Sequence, residues 1–285
     1  MNESPHPTDT SAAAREGGTE AVPSAPSPDR VCPSFSPEAL RRQLVIDGGL
    51  WWLFRIVLLA VLCFALIDSG RREGSGIGLS VALVVLVGLW MVYSLMSARV
   101  ARQIPRITEM IETESDDADL ALAGALGRRP LQQSLRLLLY HRLAMLRHRR
   151  RRFGEVAAIC QEVLAHRLGA ARMIRPHLLL MLVESRLECG DQWGTWAALG
   201  QLRRCRLSLM QLIQLTALQT RYEVGNGYFT QALHELSQKL ALIELMPAPQ
   251  CGLLHAILAV AARNSSQQAT ADWLQRRAEL LCGPE

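Results

Sequence analysis

Hydrophobic and polar positions divide the chain into three regimes. Residues 1–36 have no apolar period, with Pro5, Pro7, Pro23, Pro26, Pro28 and Pro33 dispersed among Ser, Thr, Ala and Gly. Such a segment buries too little surface to offset its ordering entropy, so a disordered, solvated tail is expected there. Residues 50–67, LWWLFRIVLLAVLCFALI, then run with Arg55 as their only charge, and residues 77–96, IGLSVALVVLVGLWMVYSLM, run with none. At the helical rise of 1.5 Å per residue the two cover about 27 and about 30 Å, close to the thickness of a hydrocarbon core. The polar stretch DSGRREGSG, residues 68–76, connects them, and the pattern predicts a helical hairpin that crosses a bilayer twice.

Beyond the second run the period changes. Apolar residues recur at helical spacing in 131–148, 153–166, 176–189, 191–206, 208–223, 228–245, 251–263 and 267–282, and β-branched alternation is absent. Pro130, Gly169, Pro176, Gly190, Gly225 with Gly227, Pro247 with Pro249, and Asn264 stand where helices should break. The expected fold class is all-α: a two-helix transmembrane hairpin followed by a cytoplasmic helical-repeat domain of about eight helices. The expected division is a tail at 1–36, an anchor at 37–106, an acidic linker at 107–129 and the helical domain at 130–285.

Within that domain the second helices of the first three pairs open on an aromatic residue after a small or polar break. The segments are RRFGEVAAICQEVL at 151, GDQWGTWAALGQL at 190 and GYFTQALHELSQKL at 227, which place Phe153, Trp193 and Phe229 at similar positions. This resembles a degenerate tetratricopeptide repeat array, a stack of helix pairs. Gly190 before Asp191, and Gly227, Phe229, Ala232 and Leu236, resemble the family positions that lock paired helices together. The repeat lengths vary, Arg151 stands where glycine is usual, and Ala269 and Trp273 are out of step in the fourth pair. The resemblance implies a concave surface that holds a peptide segment or a helix, with no chemistry of its own.

Charge refines the picture at the membrane. Arg41 and Arg42 precede the first run, Arg99, Arg102 and Arg106 follow the second, and Arg71 and Arg72 in the connection are offset by Asp68 and Glu73. Short flanking segments rich in arginine mark the cytoplasmic side, so both termini are expected there. Trp51, Trp52, Trp90 and Tyr93 fall toward one interface as an aromatic belt would, and Arg55 lies near enough to the start of its run to snorkel. Farther along, Glu109, Glu112, Glu114, Asp116, Asp117 and Asp119 precede a stretch from Arg128 to Arg152 that holds nine arginines and no acid. Its densest part supplies Arg147, Arg149, Arg150, Arg151 and Arg152, candidates for contact with an anionic surface. The alternative is that these arginines pair with the acidic stretch or face water. No aromatic residues interleave with the cluster, which speaks against nucleic acid.

Motifs for catalysis are missing: the sequence has no HExxH, GxxxxGK[ST] or GxSxG. GSGIG at 74–78 lacks a preceding strand and a lysine, and His141 and His148 are seven apart, off ligand spacing. The seven cysteines are scattered without a CxxC pair, which fits a reducing compartment. No catalytic residue, cofactor, metal or small-molecule substrate is therefore expected. The expected function is a membrane-anchored, non-catalytic scaffold whose partners are the bilayer and a protein that the sequence does not specify. The alternative is an accessory subunit of a membrane enzyme or transporter, in which the hairpin makes the specific contact.

Overall fold

A computed structural model describes residues 37–71, 77–113, 115, 117–127 and 132–283. The tail at 1–36 and the central part of the polar connection, 72–76, lie outside the described residues, which form helices and turns without a strand. Two long helices, α1 (Pro37–Arg71) and α2 (Ile77–Ala101), lead into the short α3 (Ile104–Glu112) and α4 (Asp117–Gly127). Then come α5 (Gln133–Arg149), α6 (Phe153–Ala165), a 3₁₀ turn (Gly169–Ile174), α7 (Arg175–Glu188) and α8 (Gln192–Leu202). The chain ends with α9 (Leu209–Gly225), α10 (Phe229–Leu233), α11 (Leu236–Ile243), α12 (Ala248–Asn264) and α13 (Gln268–Cys282).

Local chemistry explains the helix starts. Ser208 and Gln211 form a reciprocal capping box at α9, the Ser208 hydroxyl accepting from the Gln211 N–H at 3.3 Å and the Gln211 side chain accepting from the Ser208 N–H at 3.0 Å. Asp191 accepts from the Gly194 N–H at 2.8 Å and caps α8. Pro176 sits in the first turn of α7, where its missing N–H leaves no bond unmade.

Helices α5, α7, α9 and α12 contact one another in sequence, while α6, α8 and α10 each pack between neighbours in that row. This arrangement is compatible with a helical-repeat fold. One core runs from Leu40 through Leu137, Ile159, Val183 and Leu199 to Tyr222, and a second joins Ile243, Leu254, Leu258 and Leu274. At the end of the row α12 and α13 approach closely: a Cβ on Gly252 would lie 3.3 Å from the Ala278 carbonyl, and Ala259, Ala262, Ala271 and Ala278 are buried.

The two long helices belong partly to this core. Helix α1 begins well before its apolar run, and Leu40 and Leu44, one turn apart, are buried against the helical domain. Val100 near the end of α2 and Ile104, Ile107 and Ile111 on α3 are buried there too. Between these buried ends most of the described apolar side chains of α1 and α2 are exposed, among them Trp52, Ile56, Leu59, Phe64, Val84, Leu89 and Trp90. Among the described residues one stretch, Leu83–Glu112, is long and apolar enough to cross a membrane; its most apolar 18-residue window has a mean hydropathy of 1.8 and is 11% buried.

Two expectations change in detail. Residues 107–129, expected to be a linker, carry most of α3 and all of α4, whose Ala118, Leu122 and Ala125 are buried in the main core. The helix expected over 228–245 is two helices, because Glu235 adopts a left-handed backbone with φ 54°. Lys239 spans that break, its ammonium donating to the carbonyls of Gln231 at 3.2 Å and Ala232 at 2.8 Å.

Candidate functional site

The row α5, α7, α9 and α12 forms the wall of a groove of about 390 Å³. Its floor is apolar, with Met145, Leu180, Met181, Leu218 and Leu254, and its polar lining includes His148, His177, Glu184, Gln214 and Arg221. Methionine thioethers adapt to irregular apolar partners without a fixed shape requirement. Gln214 and Leu253 are exposed on this face.

Two polar contacts involve the groove's lining residues. His148 Nε2 lies 3.0 Å from a Glu184 carboxylate oxygen, and Arg221 donates to Glu188 at 2.6 Å. The His148 contact holds Glu184 below the usual carboxylate range despite its burial, with His148 and Arg221 adding favourable charge. Behind this lining, His141 Nε2 and His177 Nδ1 are 2.6 Å apart. Burial, followed by the proximity of His177 and Arg142, pushes His141 down to about 3. Burial, then Arg142 and His148, lowers His177 as well. Two neutral imidazoles bond only if one donates and the other accepts. His141 Nδ1 is buried without a partner, so the cheaper tautomer leaves that nitrogen as a bare acceptor and has His141 Nε2–H donate to His177. The second nitrogen of His177 then carries a proton, and His177 lines the groove.

The repeat-like positions divide. Gly190 and Gly227 take left-handed backbone, φ 74° and 77°, at turns where a side chain would be strained. Ala232 is fully buried, Leu236 is half-buried against the second core, and Phe229 is half-buried at the start of α10. Phe153 opens α6 and meets the His148 ring edge-on at 5.6 Å. Trp193 is a correction: it is 86% exposed and packs nothing in the core. Helix α8 buries Thr195, Ala198, Leu199 and Leu202, and at about 100° per residue position 193 falls on the opposite side. Trp196, which the repeat pattern passed over, stacks on Tyr222 at 6.1 Å, and the Arg203 guanidinium lies over its ring at 5.8 Å.

The arginine cluster is also divided. Arg147 is buried, 3.2 Å from Glu155 and 3.7 Å from Asp119, and Arg150 pairs with Asp119 too. Arg149 donates to the Glu112 carbonyl at 2.9 Å, and Arg152 lies 3.4 Å from Glu155. Arg147 is thus removed from any surface, while Arg149 and Arg151 are exposed. Arg136, fully buried, donates to the Leu126 carbonyl at 2.8 Å and ties α4 to α5. Among the described residues no three His, Cys, Asp or Glu side chains gather in a way that would hold a metal ion.

Comparison with family models, with curated proteins and with solved structures finds no match for this chain.

Proposed function

We propose that this chain is a membrane-anchored, non-catalytic scaffold of tetratricopeptide-like helix pairs. In this reading α1 and α2 cross the bilayer twice, both termini are cytoplasmic, and the inner row α5, α7, α9 and α12 holds a segment of a partner protein. The observation that carries the reading is the groove itself, an apolar floor with three methionines (Met145, Met181 and Met246) along successive helices, where Glu184 faces His148 and Arg221 pairs with Glu188. Such a surface suits an amphipathic helix or an extended apolar peptide better than a charged small molecule. The exposed apolar flanks of α1 and α2 support the anchor. They also favour a second reading, an accessory subunit whose spans pack on those of a larger membrane complex.

The two readings separate in cross-linking of the full-length protein in its own membranes. Leu253→Glu and Gln214→Arg alter exposed groove positions, and a second variant replaces the apolar face of residues 56–64 and 84–92 with unrelated apolar side chains. Loss of cross-linked partners in the groove variants alone supports the scaffold. Loss in the span variant alone supports the accessory subunit and overturns the scaffold.

A further inference from the structure

Where α2 approaches its C-terminal end it forms one wall of a recess of about 630 Å³, faced by the start of α5 and by the 3₁₀ turn. Trp90 and Tyr93 line it from the end of the apolar run, and Leu135, Leu138 and Ile174 extend that apolar lining into the helical domain. Met173 completes it and is 88% exposed, although it is a large apolar side chain on a surface turn. Ser97, also in the lining, is only 9% exposed, and its hydroxyl is buried without a hydrogen-bond partner. A buried hydroxyl left unpaired costs free energy that a bound acceptor would recover.

Charge gives the occupant its sign. Arg102 follows the α2 wall in sequence, Arg172 lies within the turn and Arg175 follows it, and all three are exposed. Residues 90–103, 132–138 and 168–176 contain no Asp or Glu. Aromatic side chains at the end of an apolar run, followed by arginine, mark the depth at which lipid headgroups meet acyl chains.

We propose that this recess binds one anionic phospholipid. The acyl chains lie along Trp90, Tyr93 and the apolar lining, the Ser97 hydroxyl donates to a phosphate or glycerol-ester oxygen, and the surrounding arginines favour the negative headgroup. Met173 reaches the same depth and adds a second contact between the helical domain and the bilayer. The inference rests on the reading of α2 as a membrane span.

The test uses full-length protein in phosphatidylcholine vesicles, with and without phosphatidylglycerol, each carrying a photoreactive analogue of its own lipid. Cross-linked peptides are mapped by mass spectrometry, and flotation of the vesicles reports insertion separately. The expected result is cross-linking concentrated at 90–101, 132–138 and 171–174, several-fold stronger with phosphatidylglycerol. Ala98→Phe, which fills the recess from an exposed lining position, should reduce it several-fold, and Ser97→Ala should reduce it to a smaller degree while flotation and thermal stability hold. Even labelling along α1 and α2, or equal labelling by both lipids, overturns the proposal and leaves the anchor intact. Protection by inorganic phosphate alone overturns the lipid assignment in favour of a free anion. Failure to float defeats the anchor reading itself.

Discussion

Tyr140 on α5 donates its hydroxyl to the side-chain oxygen of Gln43 on α1 at 2.6 Å, across 97 positions of sequence. The bond lies beside Leu40 and Leu44, which α1 buries in the main core. Helix α1 therefore passes without interruption from the interior of the helical domain into the exposed apolar segment. Leu44→Ala should lower stability by about 2–5 kcal/mol through lost burial and the cavity left behind, and Tyr140→Phe by about 1 kcal/mol. Thermal unfolding of the full-length protein in detergent checks both. A chain beginning at residue 107 lacks Leu40, Leu44, Val100 and Ile104, and is expected to aggregate rather than fold.

Lys239 is the one lysine in a chain whose other basic residues, apart from histidine, are arginines. Its ammonium meets the buried carboxylate of Glu223 at 3.1 Å as well as the Gln231 and Ala232 carbonyls that precede the helix break. Three divergent acceptors suit a compact cation with rotatable protons, and a planar guanidinium fork does not match them. Lys239→Ala should cost about 3 kcal/mol by leaving the buried Glu223 carboxylate without a counter-charge, held only by the Gln219 amide at 2.6 Å. Lys239→Arg should cost about 1–2 kcal/mol despite conserving charge, because a carbonyl loses its donor. Chemical denaturation of the two variants beside the parent protein tests this, and an unchanged midpoint for both would refute it.

Acid should destabilise the domain from about pH 6.5 downward. His141 is held down to about 3 from an ordinary 6.5, so between those values the unfolded chain binds a proton that the folded chain does not. Stability then falls as pH falls, by up to about 1.4 kcal/mol per pH unit for that residue. His177 and Glu184 are lowered too, and act in the same direction. Replacing His141 with Gln should flatten the melting-temperature profile between about pH 4 and pH 6.5.

The buried carboxylate of Asp119 joins Arg147 and Arg150, so Asp119→Ala should cost about 3 kcal/mol. Arg151→Ala, at an exposed position with φ 57°, should fall within about 0.5 kcal/mol of the parent. A melting curve of each variant is sufficient.

The helical segments of the domain were legible because their apolar period and their glycine and proline breaks agree, which is why α5, α6, α7, α8, α9, α12 and α13 fall near the expected bounds. The pairing of the acidic stretch with the arginine cluster was one of several readings open in the sequence, beside a water-facing cluster, a membrane surface and nucleic acid. Other features carried no local signal. Glu235 turns left-handed at a residue with no special propensity for it, and Trp193 resembles a packing position while lying on the outer side of α8. The burial of Leu40 and Leu44 depends on α5 and α6, and the His141–His177 contact joins residues 36 apart on different helices. Such relationships come from tertiary packing, which single-sequence spacing does not encode. Trp193→Ala is accordingly expected to leave the melting temperature unchanged, whereas Trp196→Ala loses a stacking contact worth about 1 kcal/mol.

The most direct test of the anchored arrangement is labelling of single-cysteine variants in intact cells with a membrane-impermeant maleimide. One variant keeps only Cys189, exposed at the end of α7, and the other carries only Gly74→Cys between the two apolar runs. Position 74 should be labelled from outside, while Cys189 is labelled only after permeabilisation. Labelling of both positions from the same side, or release of the protein from membranes by alkaline carbonate, would contradict it.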